Sequence, residues 1–278
     1  MSVALPTSVE EVVDLLVKNP RATLLAGGTD LMVEVNLHGR RPVDVVALRN
    51  IAELHSWSID PSGRSVTIGS GVPYAEMETG ELARLLPALA EAARTVGSPQ
   101  IRAAGTLGGN LGTCSPAGDG LPVLAALDAT INVVGPNGSR QVRFSDFMVG
   151  VKRNSLQPSE FVRSVTIPLV DGWQGYAKVG TRNAMVIATA SVCLVRTDEH
   201  VAVALGAVGP TIIRASEAEA WLVANHRMTS RPNAATLDEF GRLVREASRP
   251  IDDHRSTAAY RRHAVGVLSQ RLLSRSYS

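Results

Sequence analysis

The sequence predicts an α+β fold with a larger N-terminal part and a smaller C-terminal part. Between residues 24 and 48, a short apolar strand, a glycine-rich turn, a helix and a β-branched strand follow one another, which is the order of a βαβ unit. Turn sequences at 136–138 and 197–200 each separate two β-branched runs and predict hairpins. Three helical segments follow the second hairpin, and a boundary is expected near residues 170–172.

Local signals place the elements of the first part. Thr7 to Glu11 supply a capping box at the start of a helix, and Asn19-Pro20 end it. The inward face of this helix is expected to consist of Val9, Val12, Val13, Leu16 and Val17. Strands are expected at 24–26 and 43–48, with a helix from about 30 to 37 between them that Gly39 ends. Strands at 65–69, 131–134, 140–144 and 161–167 and helices at 81–96 and 121–127 complete subdomains of about 1–55 and 56–170.

The second part, residues 171–278, is expected to be a small α+β domain. Its strands are predicted at 176–181, 190–195 and 201–208. Helices are predicted at 217–225, 237–247 and 260–273, where apolar residues recur at helical spacing. Three strands and three helices would suffice for a domain that covers a neighbouring site.

Composition narrows the class of protein. The chain has 278 residues, of which 45% are hydrophobic, so it can hold one large or two smaller domains. The 28 basic and 26 acidic residues nearly balance, and only 4% of residues are aromatic, so nucleic acid is not an expected partner. No apolar run reaches the ~18 residues of a membrane span. We expect a soluble, cytoplasmic protein without a membrane span.

Two glycine motifs carry the functional prediction. The first is Ala26-Gly27-Gly28-Thr29-Asp30, and the second runs from Gly105 to Thr113. Glycine permits positive φ and a close approach of backbone N–H groups to an anion. Two such motifs suggest two loops that clamp the two phosphates of one dinucleotide, and ordinary glycine turns are the alternative. Neither motif fits G-x-G-x-x-G, and Asp44 is too near the first to hold a ribose, so a nicotinamide site is disfavoured.

Three segments resemble a known family. They are AGGTDL at 26–31, SPQIRAAGTLGGNLGTCSPAGDGLPVLAALDA at 98–129 and YAKVGTR at 176–182. The chain resembles, over nearly its whole length, the FAD-binding medium subunit of molybdenum hydroxylases, which includes the flavin subunits or domains of carbon monoxide dehydrogenase and xanthine dehydrogenase. The resemblance implies FAD in a vanillyl-alcohol-oxidase-like, PCMH-type domain at 1–170, built of two α/β subdomains. A C-terminal domain at 171–278 would close over the flavin.

The resemblance also implies which residues bind the cofactor. Its first pyrophosphate loop matches Leu24, Leu25, Ala26, Gly27, Gly28, Thr29, Asp30 and Leu31, and its second matches Thr106, Leu107, Gly108, Gly109 and Asn110. Thr113 could donate to phosphate or to a ring carbonyl. Asp119 matches an acidic position beside the cofactor hydroxyls, with a helix N-cap as the alternative role. Lys178 matches a lysine near the flavin, and Val96 and Val162 match apolar contacts.

The residues also limit what the chain could do alone. Cys114 and Cys193 are its only cysteines, and an iron–sulfur cluster generally needs four thiolates. The six histidines show no close ligand spacing, so no metal site is expected. Cys114 is interpreted as a small packing residue, with a redox thiol as the alternative. The segment 184–188 departs from the family, because apolar residues stand where polar or aromatic character is expected.

The leading hypothesis is therefore an electron-transfer subunit, with no catalytic side chain of its own. Its implied partners are a molybdopterin-containing large subunit and a 2Fe–2S small subunit, and electrons would leave FAD for an external acceptor. One alternative is a self-contained FAD-dependent oxidoreductase, which lacks an evident catalytic His, Tyr or Cys motif. The other is a non-catalytic flavin-binding module.

Overall fold

A computed structural model describes residues 2–39 and 41–278; Met1 and Arg40, which fall within the expected first domain, lie outside the described residues. Three parallel strands form the first sheet: β1 (Ser2–Ala4), β2 (Thr23–Leu25) and β3 (Asp44–Ala47), in the order β1-β3-β2. Helix α1 (Val9–Lys18) joins β1 to β2, and α2 (Leu31–His38) joins β2 to β3. The predicted βαβ unit is confirmed.

The ends of the first two helices follow the predicted signals. Ser8 caps α1 by accepting from the Glu11 N–H, and the Glu11 carboxylate accepts from the Thr7 N–H at 2.7 Å. Gly39 ends α2 with φ 66°, a conformation that glycine adopts without a Cβ penalty. One predicted inward residue of α1 is wrong, because the Val17 side chain is 51% exposed.

A five-stranded antiparallel sheet forms the second layer. It consists of β4 (Trp57–Ile59), β5 (Ser65–Gly69), β6 (Thr130–Gly135), β7 (Gly138–Arg143) and β10 (Phe161–Pro168), in the order β4-β5-β10-β6-β7. Short 3-10 helices at Leu48–Asn50 and Ala52–His55 lead into it, and a two-stranded ribbon, β8 (Met148–Gly150) and β9 (Arg153–Asn154), precedes β10. The hairpin predicted at 136–138 is confirmed, with Gly135 opposite Gly138.

Seven helices belong to this second region: α3 (Tyr74–Met77), α4 (Gly80–Leu85), α5 (Pro87–Thr95), α6 (Pro99–Ala104), α7 (Leu107–Thr113), α8 (Gly120–Ala126) and α9 (Phe144–Phe147). The single helix predicted at 81–96 is wrong. It breaks at Leu86, because Pro87 disfavours a helical residue before it and starts a new helix instead. The Leu82 and Leu89 side chains still face the same core.

The C-terminal part contains a four-stranded antiparallel sheet rather than the three strands expected. Its strands are β11 (Trp173–Val179), β12 (Ala190–Arg196), β13 (Val201–Gly206) and β14 (Ile213–Arg214), paired in chain order. The short strand β14 carries two residues only, too few to give a sequence signal. Helices α10 (Ser216–Asn225), α11 (Ala234–Ala247) and α12 (Ala258–Arg275) follow, as predicted.

Three apolar clusters hold these layers together. The largest joins the five-stranded sheet to α5, α7 and α8, and it continues into β11, β12 and β13. A second lies between the C-terminal sheet and α10–α12, and a third packs α1 against β3 and the 3-10 helices. Burial of such surface contributes about 25 cal/mol per Å². No helix in the described part of the chain is long and apolar enough to cross a membrane.

Candidate functional site

The first glycine motif forms a sharp turn between β2 and α2. Gly28 adopts φ 71°, and Asp30 stands at the N-cap position of α2 without capping it through its side chain. Within residues 2–39 and 41–278, the backbone N–H groups of Gly28, Thr29 and Asp30 donate no hydrogen bond to the chain. Successive free N–H groups at a helix N-terminus suit an anion such as phosphate.

The two glycine motifs touch each other. A Cβ on Gly27 would collide with the carbonyl oxygen of Ala104, immediately before the second motif. The Thr29 side chain lies beside Gly105, and the Thr113 hydroxyl donates to Asp30 Oδ2 at 3.3 Å. Residues about 80 positions apart in sequence therefore form one continuous backbone surface, as the interpretation of two loops around one ligand requires.

The second motif is helical, which corrects the prediction of an open loop. Thr106 caps α7, and its Oγ1 accepts from the Gly109 N–H at 2.9 Å. The Gly108 N–H donates to the Ser70 carbonyl at 3.1 Å. These glycines do not need positive φ, since only Gly28 of the two motifs has it. Glycine is required at 108 because a Cβ would meet the Ser70 backbone oxygen at 2.5 Å.

Gly109 faces the first motif across a narrow gap. The nearest atoms to a Cβ built there are Thr106 Oγ1 at 3.1 Å and the Ala26 Cβ at 4.0 Å. The Thr106 hydroxyl, which accepts from Gly109, keeps its own proton to donate. The space in front of Gly109 is thus bounded by the Ala26 methyl group on one side and by the Thr106 hydroxyl on the other.

A buried ion pair lies beside the glycine motifs. Lys178 Nζ donates to Asp119 Oδ2 at 2.7 Å and to the Thr95 carbonyl at 2.8 Å, and the Tyr176 hydroxyl donates to Asp119 Oδ1 at 2.8 Å. The Lys178 and Asp119 side chains are 7% and 9% exposed. Burial raises the pKa of Asp119, and the Lys178 ammonium opposes that rise. Asp119 occupies the N-cap position of α8 but makes no side-chain cap hydrogen bond.

A second tyrosine holds Asn110. The Tyr74 hydroxyl donates to Asn110 Oδ1 at 2.8 Å, and the ring is buried. Burial raises the pKa of Tyr74, and the nearby Asp119 raises it further. The phenol is therefore protonated at neutral pH and keeps its hydrogen for Asn110.

The remaining predicted residues divide into two groups. Leu24, Leu25 and Leu31 are half-buried and flank the first motif, and Val96 is half-buried directly after the Thr95 carbonyl that Lys178 contacts. Leu107 and Val162 are core residues: Leu107 is 0% exposed, and Val162 lies on β10, which packs against α7. In the described part of the chain, neither the Leu107 nor the Val162 side chain reaches the gap between the motifs.

Two further regions received predictions. Cys114 Sγ donates to the Arg153 carbonyl, and burial raises the pKa of this thiol to about 11, which favours the packing interpretation over a redox thiol. The apolar segment at 184–188 forms a turn in which Met185 and Ile187 are each 55% exposed. Among the described residues, no group of three or more His, Cys, Asp or Glu side chains has metal-binding geometry.

The sequence interpretation missed the two tyrosines. Tyr176 is two residues before Lys178 on β11, so both side chains point to the same face of the sheet, a signal that the alternation of a strand provides. Tyr74 gave no comparable signal. It belongs to the four-residue helix α3 and meets Asn110 across 36 positions of sequence.

Comparisons with known proteins identify the class. Residues 1–170 match the family described as the FAD-binding domain in molybdopterin dehydrogenase, and residues 176–276 match the CO dehydrogenase flavoprotein C-terminal domain. The chain therefore belongs to the family of FAD-binding subunits of molybdenum hydroxylases. It is an oxidoreductase component, and the predicted cofactor, FAD, and α+β fold are confirmed.

Several relatives share a similar sequence identity with the chain. The chain is 30% identical to the carbon monoxide dehydrogenase medium chain of Afipia carboxidovorans, over 98% of this chain and 94% of that one. It is 29% identical to a putative xanthine dehydrogenase FAD-binding subunit of Escherichia coli, over 95% and 91%. Among solved structures, carbon monoxide dehydrogenase from Hydrogenophaga pseudoflava matches with a TM-score of 0.92 at 28% identity, over 100% and 97% of the chains.

Proposed function

We propose that the glycine-motif surface holds the pyrophosphate of FAD. The free N–H groups of Gly28, Thr29 and Asp30 carry this proposal, because backbone donors left unpaired in a glycine turn at a helix start suit a phosphate. Thr106 and Asn110 would add donors from the other side of the gap. The contact between Gly27 and Ala104 makes the surface continuous and supports one ligand shared by both motifs.

We further propose that the remaining predicted residues contact the same cofactor. Asp119 would accept from a cofactor hydroxyl, since each carboxylate oxygen has lone pairs beyond those that Tyr176 and Lys178 occupy. The Lys178 ammonium would favour the ionised form of that carboxylate and so oppose the effect of its burial. Leu24, Leu25, Leu31 and Val96 would supply apolar contacts at the edges of the site, and Leu107, Gly108 and Val162 would act from the core behind it.

At the level of the complex, the chain acts as the electron-transfer subunit of a heteromeric molybdenum hydroxylase. The chain would bind and orient FAD, and the bound flavin would supply the redox chemistry for electron transfer between the iron–sulfur clusters of a 2Fe–2S small subunit and an external acceptor. A molybdopterin-containing large subunit would oxidise the organic substrate. Two cysteines, both buried, are too few for a cluster within this chain. Domains at 1–170 and 171–278 and a cytoplasmic location remain part of the proposal.

Stopped-flow absorbance tests the proposal against a self-contained oxidoreductase. The assembled complex and the isolated chain, both loaded with FAD, are mixed with an organic substrate of the complex while flavin absorbance is followed. We expect flavin bleaching in the complex and none in the isolated chain, because the substrate site belongs to the partner. Rapid bleaching in the isolated chain would overturn the subunit role. Failure of the wild-type chain and of the complex to bind FAD would overturn the site itself.

A further inference from the structure

The orientation of the Asn110 carboxamide is fixed by one buried hydroxyl. Tyr74 is 3% exposed, so its proton needs an acceptor within the protein. Asn110 Oδ1, at 2.8 Å, is that acceptor. With the amide turned the other way, the Asn110 NH2 would face the phenol oxygen, and the buried phenol proton would lose its partner, which is unfavourable.

The other face of the phenol supports the same arrangement. Gly120 packs against the Tyr74 oxygen on this other face. A Cβ on Gly120 would lie 2.6 Å from that oxygen, so glycine is what allows the close approach. The phenol oxygen is thus enclosed by Gly120 on one side, and its proton is directed to Asn110 on the other.

The Asn110 amide nitrogen is left available. In the described part of the chain, Asn110 Nδ2 makes no hydrogen bond, and the side chain is half-buried. Asn110 lies on α7 one residue after Gly109, and its carboxamide packs against Gly118, where a Cβ would lie 2.5 Å from Nδ2. A fixed donor on α7, the helix that the second glycine motif forms, is suited to an oxygen of the cofactor.

We propose that Tyr74 is a positioning residue, which holds the Asn110 carboxamide so that its NH2 group donates to FAD. The inference rests on the proposed FAD site and adds to it a residue that does not itself touch the cofactor. Tyr74 acts only through Asn110, and this gives the proposal a quantitative signature. Removing the Tyr74 hydroxyl matters only while the Asn110 amide is present.

A double-mutant cycle measures that signature. The FAD dissociation constant is determined by flavin fluorescence for the wild-type full chain, Tyr74→Phe, Asn110→Ala and the double variant. We expect Tyr74→Phe to weaken FAD binding about fivefold in the wild-type background, the scale of one neutral hydrogen bond, and less than twofold in the Asn110→Ala background.

Two more variants separate positioning from a general structural effect. Tyr176→Phe removes another buried hydroxyl of the same site, one that contacts Asp119, and its effect should be equally large with or without the Asn110 amide. Asn110→Asp keeps an acceptor for Tyr74 but replaces the NH2 group with an oxygen. It should retain thermal stability within a few degrees and bind FAD more weakly than Asn110→Ala, and it tests the amide nitrogen even if Tyr74→Phe does not fold.

The outcomes are distinct. Equal losses for Tyr74→Phe in both backgrounds would show that Tyr74 acts independently of Asn110 and would overturn the inference, as would no loss in either. Full FAD affinity in Asn110→Asp would show that Nδ2 is not the donor. These results leave the FAD site intact, whereas a wild-type chain that does not bind FAD overturns both the site and the role of Tyr74.

Discussion

Gly27 lies against the carbonyl oxygen of Ala104 with no room between them for a side chain. This contact joins the turn after β2 to the segment that leads into α7, and it sets the spacing of the two glycine motifs. Its geometry follows from the absence of a Cβ rather than from positive φ, since Gly27 is not among the residues in the left-handed region. The site is therefore sensitive to the addition of a single methyl group.

We expect Gly27→Ala to separate the two motifs. The new methyl group must displace the Ala104 carbonyl, so the free energy of unfolding should fall by roughly 1–3 kcal/mol and FAD should bind more weakly. Urea denaturation and flavin fluorescence measure the two effects. Gly150→Ala is the matched control, because its Cβ would meet only the Arg153 side chain, at 3.8 Å. Wild-type affinity in Gly27→Ala would mean that the spacing of the motifs does not matter for FAD.

Gly109→Val should abolish FAD binding and leave the fold in place. Gly109 has helical backbone, so the cause is steric: the Val side chain fills the gap between Thr106 and Ala26. Far-ultraviolet circular dichroism should match the wild-type chain, while the yellow cofactor is missing after purification. Gly150→Val is the control, because a Cβ at position 150 would meet only the Arg153 side chain. Stoichiometric FAD in Gly109→Val would place the cofactor away from α7.

Asp119→Ala should lower both stability and FAD affinity, and a second substitution at Lys178 should restore only the stability. Asp119→Ala leaves a buried ammonium without its carboxylate, which typically costs about 3–5 kcal/mol of stability. It should also weaken FAD binding by about 1–3 kcal/mol, the scale of a hydrogen bond to a charged group. Adding Lys178→Met should restore much of the stability and none of the FAD affinity. Unchanged affinity in Asp119→Ala would leave the pair a purely structural role.

Acid should weaken the fold through Glu160. Arg140 donates to both Glu160 oxygens, at 2.8 and 2.7 Å, and these bonds hold the pKa of Glu160 below its usual value. A carboxyl with a lowered folded-state pKa stabilises the protein above its unfolded pKa, and that stability is lost as the pH falls. Wild-type chain should therefore lose more stability than Glu160→Gln between about pH 6 and about pH 3. Glu217→Gln, on the exposed side of α10, should keep the wild-type slope.

The purified chain should be yellow and should release intact FAD on denaturation. Noncovalent binding is expected because Cys114, the nearest thiol to the glycine motifs, is buried and bonded to the Arg153 carbonyl. Elemental analysis of the chain alone should find neither iron nor molybdenum. Flavin that stays with the denatured polypeptide would reveal a covalent link, and stoichiometric iron would contradict the assignment of clusters to a partner.

Local signals in the sequence were sufficient for most of the secondary structure. The capping box before α1, Gly39 after α2 and the turn at 136–138 each act through neighbouring residues, and the structure confirms all three. The helix at 81–96 failed for a local reason as well, since Pro87 outweighed the apolar periodicity on both sides of it.

The site was only partly accessible to such reasoning. Glycine motifs stand out in a sequence, but whether they form a loop or a helix depends on distant partners, here Ser70 for the Gly108 N–H. Asp119 could be proposed as a ligand or as a cap, and its true neighbours come from a strand 57 positions away. The role of Tyr74 could not be predicted, because it depends on one long-range hydrogen bond and is marked by no sequence pattern.

The largest apolar cluster does not end near residue 170. Tyr176, Cys193 and Ala204 belong to the same cluster as Leu107 and Leu121. A fragment that ends at the expected boundary would thus expose part of its hydrophobic core to water. The whole chain should consequently unfold in a single cooperative transition. The junction near residue 170 should also resist proteolytic cleavage. A chimaera that joins residues 1–170 of this chain to the C-terminal domain of a relative would therefore need a redesigned interface between the two domains.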